Sequence, residues 1–312
     1  MKRILLTTVF LLCAFLGGAQ KVYTSMEEAS ATPSDVKILD LSGQNLPALP
    51  EGVSAFENLE ELYVDDNQIS SLDAVSSLKN IKILSASSNS LTEISQALTE
   101  LSSLETLNLS ANKIVNVNPQ IKSLNLLKEL DLSFNSISVF PEDACGLPAL
   151  EVLLLSGDKI TKLPAGFNRL TTLKILYLDE CPLNSFPAAV LRLKNLKQLS
   201  MAKCGLSSIP AEIGQLSSLT HLLLNENGIS AVPSAVYGLK NLEFLSLASN
   251  KITALSGDII KLTKLSDLNL CGNKIEEMPH ELGKMPALKS IGVSGTGVEM
   301  LNQTAQSTKN IY

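Results

Sequence analysis

Side chains that could carry chemistry are few in this sequence. It has only two histidines, His221 and His280, far apart along the chain, so no histidine-based triad or metal site can be assembled from a pair. The segment 292–297 has glycine spacing similar to that of phosphate-binding loops, but it lacks the Lys-Ser/Thr step that such loops need. We interpret it as a degenerate strand and turn. These residues predict no catalytic site, no metal and no cofactor, and therefore a protein that is not an enzyme.

The first 19 residues have the organisation of a signal peptide. Lys2 and Arg3 form a positive start, residues 4–16 are an apolar run, and Gly17-Gly18-Ala19 offers a cleavage site before Gln20. A membrane anchor is the alternative, but the run is shorter than the about 20 residues that span a bilayer. We expect an exported protein, whether periplasmic, at the cell surface or secreted, with no transmembrane segment after cleavage.

Charge narrows the class of partner. Removal of residues 1–19 takes away two basic residues and no acidic ones, which leaves 23 basic and 31 acidic residues and a net charge of −8. Nucleic acids and anionic membranes both require a basic patch on the protein that binds them. The composition therefore argues against both as partners.

A 23-residue periodicity organises the rest of the chain. Leucines recur at this interval, and each opens a phrase of the form L-x-x-L-x-L-x-x-N-x-L-x-x-L-P, in which we call the first leucine position 1. They are Leu104, Leu127, Leu150, Leu173, Leu196, Leu219, Leu242, Leu265 and Leu288. The same phrase starts at Val36, Leu59 and Ile81, with one interval of 22 residues. We predict twelve repeats over 36–301, the last one truncated, between an N-terminal cap at 20–35 and a C-terminal tail at 302–312.

This pattern resembles the leucine-rich-repeat family, in the 23-residue form with a Leu-Pro step of Ras-group-like and bacterial members. The resemblance implies an α/β solenoid that is curved, with parallel strands on its concave face and short helical or 3-10 turns on its convex face. The residues support the same fold independently, because positions 4 and 6 alternate around an outward position 5, as in a strand with one buried face. Ser25 and Glu28 match a capping box, and the helix that they start must end before Pro33.

Position 9 predicts how the turn after each strand is stabilised. A buried amide there can bond to main-chain groups that the turn would leave unpaired. The asparagines at this position are Asn67, Asn89, Asn112, Asn135, Asn227, Asn250 and Asn273. Cys181 and Cys204 take the same position in adjacent repeats, where stacked residues lie about 5 Å apart, within the range that a disulfide tolerates. Their side chains should run parallel, and members of the family carry free thiols here, so free thiols and a disulfide both stay open.

Positions 3, 5 and 7 point out of the strands, and packing does not dictate them, so we expect the binding surface there. No Lys or Arg occupies these positions in any repeat. Their acidic residues are Asp40, Glu61, Asp65, Glu129, Asp131, Asp179 and Asp267. Their large apolar or aromatic residues in the middle repeats are Val152, Leu154, Ile175, Tyr177, His221, Leu223 and Phe244. An apolar cluster ringed by polar residues is typical of a binding hot spot, although scattered outward apolar residues are also ordinary on sheets.

Two function classes fit these patterns. The first is a protein-binding module outside the cytoplasm, whose partner carries a basic or mixed segment. The second is a glycan or cell-wall binding protein, for which aromatic platforms are needed, and Tyr63, Tyr177 and Phe244 are dispersed along the sequence. The sequence leaves the oligomeric state and the identity of the partner open.

Overall fold

The computed structural model describes residues 20–297, together with the backbone of 310–311. The predicted signal peptide at 1–19 and most of the predicted tail at 302–312 lie outside these residues, as do the last residues of the twelfth repeat.

The described residues form one parallel sheet of fourteen strands, in which spatial order equals chain order. The strands are β1 Val22–Tyr23, β2 Ile38–Asp40, β3 Glu61–Tyr63, β4 Ile83–Ser85, β5 Thr106–Asn108, β6 Glu129–Asp131, β7 Val152–Leu154, β8 Ile175–Tyr177, β9 Gln198–Ser200, β10 His221–Leu223, β11 Phe244–Ser246, β12 Asp267–Asn269, β13 Ser290–Gly292 and β14 Asn310–Ile311. Strands β2 to β13 are positions 3 to 5 of the twelve repeats. Each pairs in register with the next, so that equivalent positions are direct neighbours, as Val152 and Ile175 are.

Short turns return the chain from one strand to the next. Two are α-helical, α1 at Met26–Ala31 and α2 at Gln96–Thr99. The 3-10 turns are Pro33–Asp35, Glu51–Ala55, Asp73–Ser77, Pro119–Ser123, Asp143–Gly146, Ala165–Arg169, Val190–Arg192, Ala211–Gln215, Ser234–Gly238, Gly257–Lys261 and His280–Lys284. A 3-10 turn needs little chain for each reversal, which suits a 23-residue unit. Helix α1 starts as the capping box predicts, because Ser25 Oγ accepts a hydrogen bond from the N–H of Glu28 at 3.2 Å.

Leucine fills the space between the strands and the return turns. In the ninth repeat Leu219, Leu222 and Leu224, at positions 1, 4 and 6, have no exposed surface. Apart from Tyr23 on β1, the few buried aromatic residues lie at the return turns, where Phe140 and Phe167 of adjacent repeats meet edge to face at 5.7 Å. Because each repeat buries its apolar residues against its neighbours, the core is continuous along the stack.

Position 8 has a left-handed backbone in every repeat, with φ between 53° and 78°. The residues are Gly43, Asp66, Ser88, Ala111, Phe134, Gly157, Glu180, Lys203, Glu226, Ser249, Gly272 and Gly295. Most of these are not glycine, so their side chains oppose this conformation by about 1 kcal/mol or more each. The turn imposes it because it reverses the chain just after the strand and directs position 9 into the core.

The asparagines at position 9 bond to main-chain groups of two repeats, which confirms the predicted role of this column. Asn135 Nδ2 donates to the carbonyl oxygens of Leu132 in its own repeat, at 2.8 Å, and of Leu109 in the preceding repeat, at 3.0 Å. Its Oδ1 accepts from the N–H of Ile114, also in the preceding repeat, at 2.9 Å. Asn67, the first asparagine of the column, makes the equivalent bonds. Each asparagine therefore closes its own turn and fastens it to the repeat before.

Three consecutive repeats replace this asparagine. Cys181 and Cys204 are buried free thiols, which answers the open question about a disulfide. The thiols donate to the carbonyl oxygens of Leu155 at 3.2 Å and Leu178 at 3.0 Å, so they keep the donor role of the asparagine amide. Burial raises the pKa of both to about 12, so neither forms a thiolate readily.

Asp158 is the third replacement, and it is 2% exposed. Its Oδ1 accepts from the N–H of Ile137 at 2.9 Å, as the amide oxygen of an asparagine would. Its Oδ2 stands where an asparagine would place a donor, and within residues 20–297 it has no hydrogen-bond partner. Burial, with a smaller contribution from the nearby Asp131, raises the pKa of Asp158 to about 7.

Replacing Asn135 with Leu should lower the free energy of unfolding by about 1–3 kcal/mol, because buried main-chain groups of two repeats lose their partners. Calorimetry of the two proteins measures this. The matched control is Gln44→Leu at position 9 of the first repeat, where the side chain is exposed and donates to Thr24 O at 2.8 Å. Equal melting temperatures for Asn135→Leu and the wild type would contradict the structural role of the column.

Asp158→Asn should stabilise the protein, and more so at pH 8 than at pH 5. The folded carboxyl keeps its proton up to about pH 7, whereas in the unfolded chain it loses the proton near its ordinary pKa of about 3.9. Between these values the unfolded state binds fewer protons, so the contribution of Asp158 to stability falls as the pH rises and is lowest above pH 7. Asparagine removes this titration. Melting curves at both pH values test it against the exposed control Asp66→Asn, and a gain that is independent of pH would contradict it.

Candidate functional site

The outward face of strands β7 to β11 carries the predicted apolar cluster, but only part of it is accessible. Ile175, Tyr177, His221, Leu223 and Phe244 are half-buried, with surface left for a partner. Val152 and Leu154, which the sequence also placed in the exposed cluster, are only 7% and 5% exposed. The prediction that these two residues are exposed is wrong.

The register of the sheet explains the burial of the two β7 residues. Val152 lies between Glu129 and Ile175 on the flanking strands, and Leu154 lies between Asp131 and Tyr177. Neighbouring strands are about 4.8 Å apart, and side chains on a concave face converge. The larger side chains Ile175 and Tyr177 on β8 therefore cover Val152 and Leu154 beside them. The accessible cluster is the group on β8, β10 and β11, which we call the apolar patch: Ile175, Tyr177, His221, Leu223 and Phe244.

Within the patch, hydrogen bonds fix the orientation of Tyr177. Its hydroxyl donates to Oε1 of Gln198, on the next strand, at 2.8 Å. Burial raises the pKa of Tyr177, and the carboxylate of Asp179 raises it further, so the ring presents a neutral surface at physiological pH. An oriented, uncharged aromatic side chain loses little entropy when a partner covers it.

His221 and Phe244 form the other half of the patch. Their rings lie on adjacent strands and stack with centroids 5.9 Å apart and planes 14° apart. His221 Nδ1 is 2.9 Å from Thr220 Oγ1, whose single proton goes to the carbonyl oxygen of Lys197 at 3.0 Å. The hydroxyl must therefore accept from Nδ1–H, which leaves Nε2 as an acceptor. Burial lowers the pKa of His221, which favours this neutral form.

Two of the predicted acidic residues are held by the repeat that follows them. Asp65 Oδ1 accepts from Ser85 Oγ at 2.7 Å and from the N–H of Ser87 at 2.6 Å. Asp179 is arranged in the same way, with Ser200 Oγ at 2.5 Å and the N–H of Ala202 at 2.7 Å. Burial is the main influence on both carboxyls and raises the pKa of each. The main role of these two carboxyl groups is therefore to stabilise the following repeat, which leaves them less hydrogen-bonding capacity for a ligand.

The remaining acidic residues differ in exposure. Asp131 is 3% exposed, burial raises its pKa to about 6, and its Oδ1 accepts from the N–H of Ser133 at 2.9 Å. Asp131 therefore caps the turn and is buried. The prediction that it belongs to the accessible acidic surface is wrong. Asp40, Glu61, Glu129 and Asp267 are half-buried and can meet a partner.

Sequence reasoning missed a row of alternating charges at position 2, along the edge where the strands begin. Seven consecutive repeats alternate there between lysine and glutamate: Lys37, Glu60, Lys82, Glu105, Lys128, Glu151 and Lys174. Ion pairs join neighbours in this row, for example Lys128 to Glu105 and Lys174 to Glu151, both at 2.6 Å. The signal was present in the sequence, as strict alternation of charge at one repeat position. Four of the basic residues, the lysines of this row, are thereby kept at the edge of the acidic face.

A second apolar surface lies on the return side of the repeats. It is a groove of about 690 Å³ across the fifth to seventh repeats, whose lining includes Phe140, Leu163 and Phe186. Val139 at its rim is 66% exposed. This groove faces away from the strands and provides a control surface for binding experiments.

Within 20–297, no group of His, Cys, Asp and Glu side chains could hold a metal ion. No helix in that part of the chain is both long enough and apolar enough to cross a membrane.

Family comparisons match nearly all of the repeats. A family model described as "Leucine rich repeat" matches residues 57–114, 102–160 and 125–183. A second model, described as "Leucine-rich repeat region", matches residues 188–310. The chain belongs to the leucine-rich-repeat family. The parallel sheet and the 3-10 return turns are the solenoid that this family forms, and they confirm the fold predicted from the periodicity.

Solved structures of other leucine-rich-repeat proteins share this fold. An internalin from Listeria monocytogenes is 20% identical, with a TM-score of 0.79, over 94% of this chain and 84% of its own. A leucine-rich-repeat protein of Leptospira interrogans is 24% identical, with a TM-score of 0.51, over 94% of this chain and all of its own. The ectodomain of the receptor kinase GASSHO1/SCHENGEN3 from Arabidopsis thaliana is 23% identical, with a TM-score of 0.68, over 90% of this chain and 38% of its own.

These likenesses extend to the fold alone, since all three identities are low. A search of curated protein sequences finds no match. Function must therefore be argued from the surface of this leucine-rich-repeat chain itself.

Leu154→Ala should lower the free energy of unfolding by about 2 kcal/mol or more, because it removes a buried side chain and leaves a cavity. Leu223→Ala is the matched control, since Leu223 is also a leucine at position 5 but is half-buried. It should cost less, about 1 kcal/mol. Urea denaturation of both variants measures the difference, and equal losses would show that burial does not distinguish the two leucines.

Proposed function

We propose that this leucine-rich-repeat chain is a non-enzymatic protein-binding module that acts outside the cytoplasm and binds its partner through the concave face. The observation that carries the proposal is the apolar patch. Its five side chains remain partly exposed at positions where internal packing does not require apolar residues. Exposed apolar surface inside a polar rim is typical of the centre of a protein-binding site.

The charges around the patch favour a partner with a basic segment. No Lys or Arg lies at positions 3, 5 or 7, and the accessible carboxylates Glu129 and Asp267 flank the patch on β6 and β12. Such a field steers a positively charged segment toward the surface and speeds its association. The partner therefore combines apolar or aromatic anchor residues with nearby basic residues.

A binding role is supported by a structural neighbour that was solved in a complex. The GASSHO1/SCHENGEN3 ectodomain was solved in complex with CASPARIAN STRIP INTEGRITY FACTOR 2. A location outside the cytoplasm is supported by the signal-peptide pattern of residues 1–19.

Glycan binding is the competing function. Stacking on sugars needs aromatic rings side by side on one surface, whereas Tyr63, Tyr177 and Phe244 stand on β3, β8 and β11. The first is separated from the other two by several strands, so no continuous platform forms. A glycan array distinguishes the two functions, because the protein-binding proposal predicts no saturable glycan ligand.

Tyr177→Ala should weaken binding of the protein partner by about 2 kcal/mol or more, because Tyr177 is a large oriented side chain in the patch. The partner is first captured from the native host by proximity labelling and then titrated against wild type and variant. Higher salt should weaken wild-type binding, since it screens the carboxylates from the basic segment.

Two controls locate the effect. Tyr63→Ala removes a tyrosine from the same repeat position on β3, where its hydroxyl donates to Oε2 of Glu61 on the same strand at 2.8 Å. Val139→Ala alters the groove on the return side. Melting curves of each variant show whether the fold is intact. Equal partner affinity for wild type and Tyr177→Ala, or a loss confined to Val139→Ala, would contradict concave-face binding through the patch.

A further inference from the structure

One face of the Phe244 ring is occupied within the protein, and the other is turned toward a carboxylate. The occupied face stacks on His221 of β10. The opposite face points along the sheet to β12, where Asp267 is the direct cross-strand neighbour of Phe244. Both Phe244 and Asp267 are half-buried, so their side chains are partly shielded from water and still accessible.

Asp267 has capacity to bind a ligand. Ser266 Oγ donates to its Oδ2 at 2.5 Å, which orients the carboxyl and leaves Oδ1 to accept from a ligand. In this respect it differs from Asp65 and Asp179, whose Oδ1 atoms each accept two hydrogen bonds within the protein. An aromatic face beside a carboxylate oxygen is a site for a cation.

The neutral state of His221 is compatible with a cation on the far side of the phenyl ring. Its Nδ1 proton is held by Thr220 Oγ1, and burial lowers the pKa of the ring. The titratable groups that act on the ring are Glu243 and Asp267, both of which are acidic. The stack therefore adds no positive charge that would repel the cation.

Unpartnered polar atoms lie beside the same stack. Ser246, two residues after Phe244, is 2% exposed, and within the described part of the chain its Oγ has no hydrogen-bond partner. Ser85 and Ser200, at the same repeat position, donate to Asp65 and Asp179 of the preceding repeat. The corresponding residue before Ser246 is Asn225, whose Oδ1 is also buried and without a partner among residues 20–297. Such groups are uncommon in folded proteins, and ligand binding is one way to satisfy them.

Among protein side chains, arginine fits these features best. Its guanidinium group is planar, so it can lie flat on the free face of Phe244 while its N–H groups donate in the same plane to Asp267 Oδ1. Lysine is a compact, strongly hydrated charge that does not stack in this way. An arginine has further N–H groups, and the unpartnered oxygens of Ser246 and Asn225 are acceptors for such donors.

We propose that the free face of Phe244, with the carboxylate of Asp267, is a subsite for an arginine side chain of the partner. This inference rests on the proposed function, and it specifies which residue of the basic segment is recognised and where. The aliphatic part of the arginine lies toward Leu223, on the same side of the face as the apolar patch.

The test uses two fluorescent probes of equal length and charge, an oligo-arginine and an oligo-lysine peptide, titrated by fluorescence anisotropy against the protein without residues 1–19. Steering by charge alone binds both probes equally. The subsite predicts tighter binding of the arginine probe, by about fivefold, which is the size of a moderately exposed cation–π contact. Phe244→Leu keeps an apolar side chain without the aromatic face, and it should reduce this preference to near one. Asp267→Asn should weaken binding of the arginine probe more than that of the lysine probe.

Matched controls come from β3, at the other end of the face. Tyr63→Leu removes an aromatic ring and Glu61→Gln removes a carboxylate at position 3, and both should leave the arginine preference unchanged. Melting curves confirm that each variant is folded. Equal affinity of the wild type for the two probes, or a preference that survives Phe244→Leu in a folded protein, would overturn the proposal.

The outcome can be separated from that of the proposed function. If the captured partner is lost with Tyr177→Ala but the wild type shows no arginine preference, the concave face binds protein and the arginine subsite is wrong. If the arginine preference is present and depends on Phe244, but no concave-face variant changes the affinity for the captured partner, the subsite is supported and the proposed function is wrong.

Discussion

Backbone polar groups in twelve tight turns have to be satisfied inside an apolar core in which leucine is the main residue. Leucine offers no hydrogen bond, so one side chain in each repeat must supply several. At position 9 an asparagine amide does this, as Asn135 does for Leu109, Ile114 and Leu132. The left-handed residue at position 8 follows from the same requirement, because it turns the chain so that the amide enters the core. The strands, their register and the face that they present all depend on this turn.

The concave face uses some of its polar residues for the same purpose. Asp65, Asp131 and Asp179 cap main-chain N–H groups, and burial raises the pKa of each. Lys82, Lys128 and Lys174 are paired with glutamates at the edge of the sheet. Fewer carboxylates are therefore available to a partner than a count of the carboxyl groups on the face suggests, and the available ones include Asp40, Glu61, Glu129 and Asp267. Binding at this surface combines a small number of apolar anchors with a few oriented charges.

Periodic residues made the fold predictable. Each structural role recurs at one repeat position, so the strands, the asparagine column and the capping box before α1 could all be read from the sequence. The left-handed backbone at position 8 could not, because Asp66, Ala111 and Phe134 share no chemical property that marks it. For the site, outward direction was predictable from alternation within a strand. Exposure was not, because it depends on the size of neighbours across the sheet, and Leu154 beside Tyr177 is buried where Leu223 is not. The state of Cys181 and Cys204 likewise depended on the direction of their thiols, which spacing alone leaves undetermined.

The asparagine bonds also have a direction along the chain. Asn89 accepts from the N–H of Ile69 and donates to the carbonyl oxygen of Val64, and both of those residues belong to the preceding repeat. A ribosome releases the chain from its N-terminus, so the turn of any repeat emerges before the residue that completes it. Each turn must wait for roughly one further repeat, during which its main-chain groups are held by water. Folding during synthesis would then advance along the stack one repeat behind the growing end, with a single unfinished turn at its front at any moment.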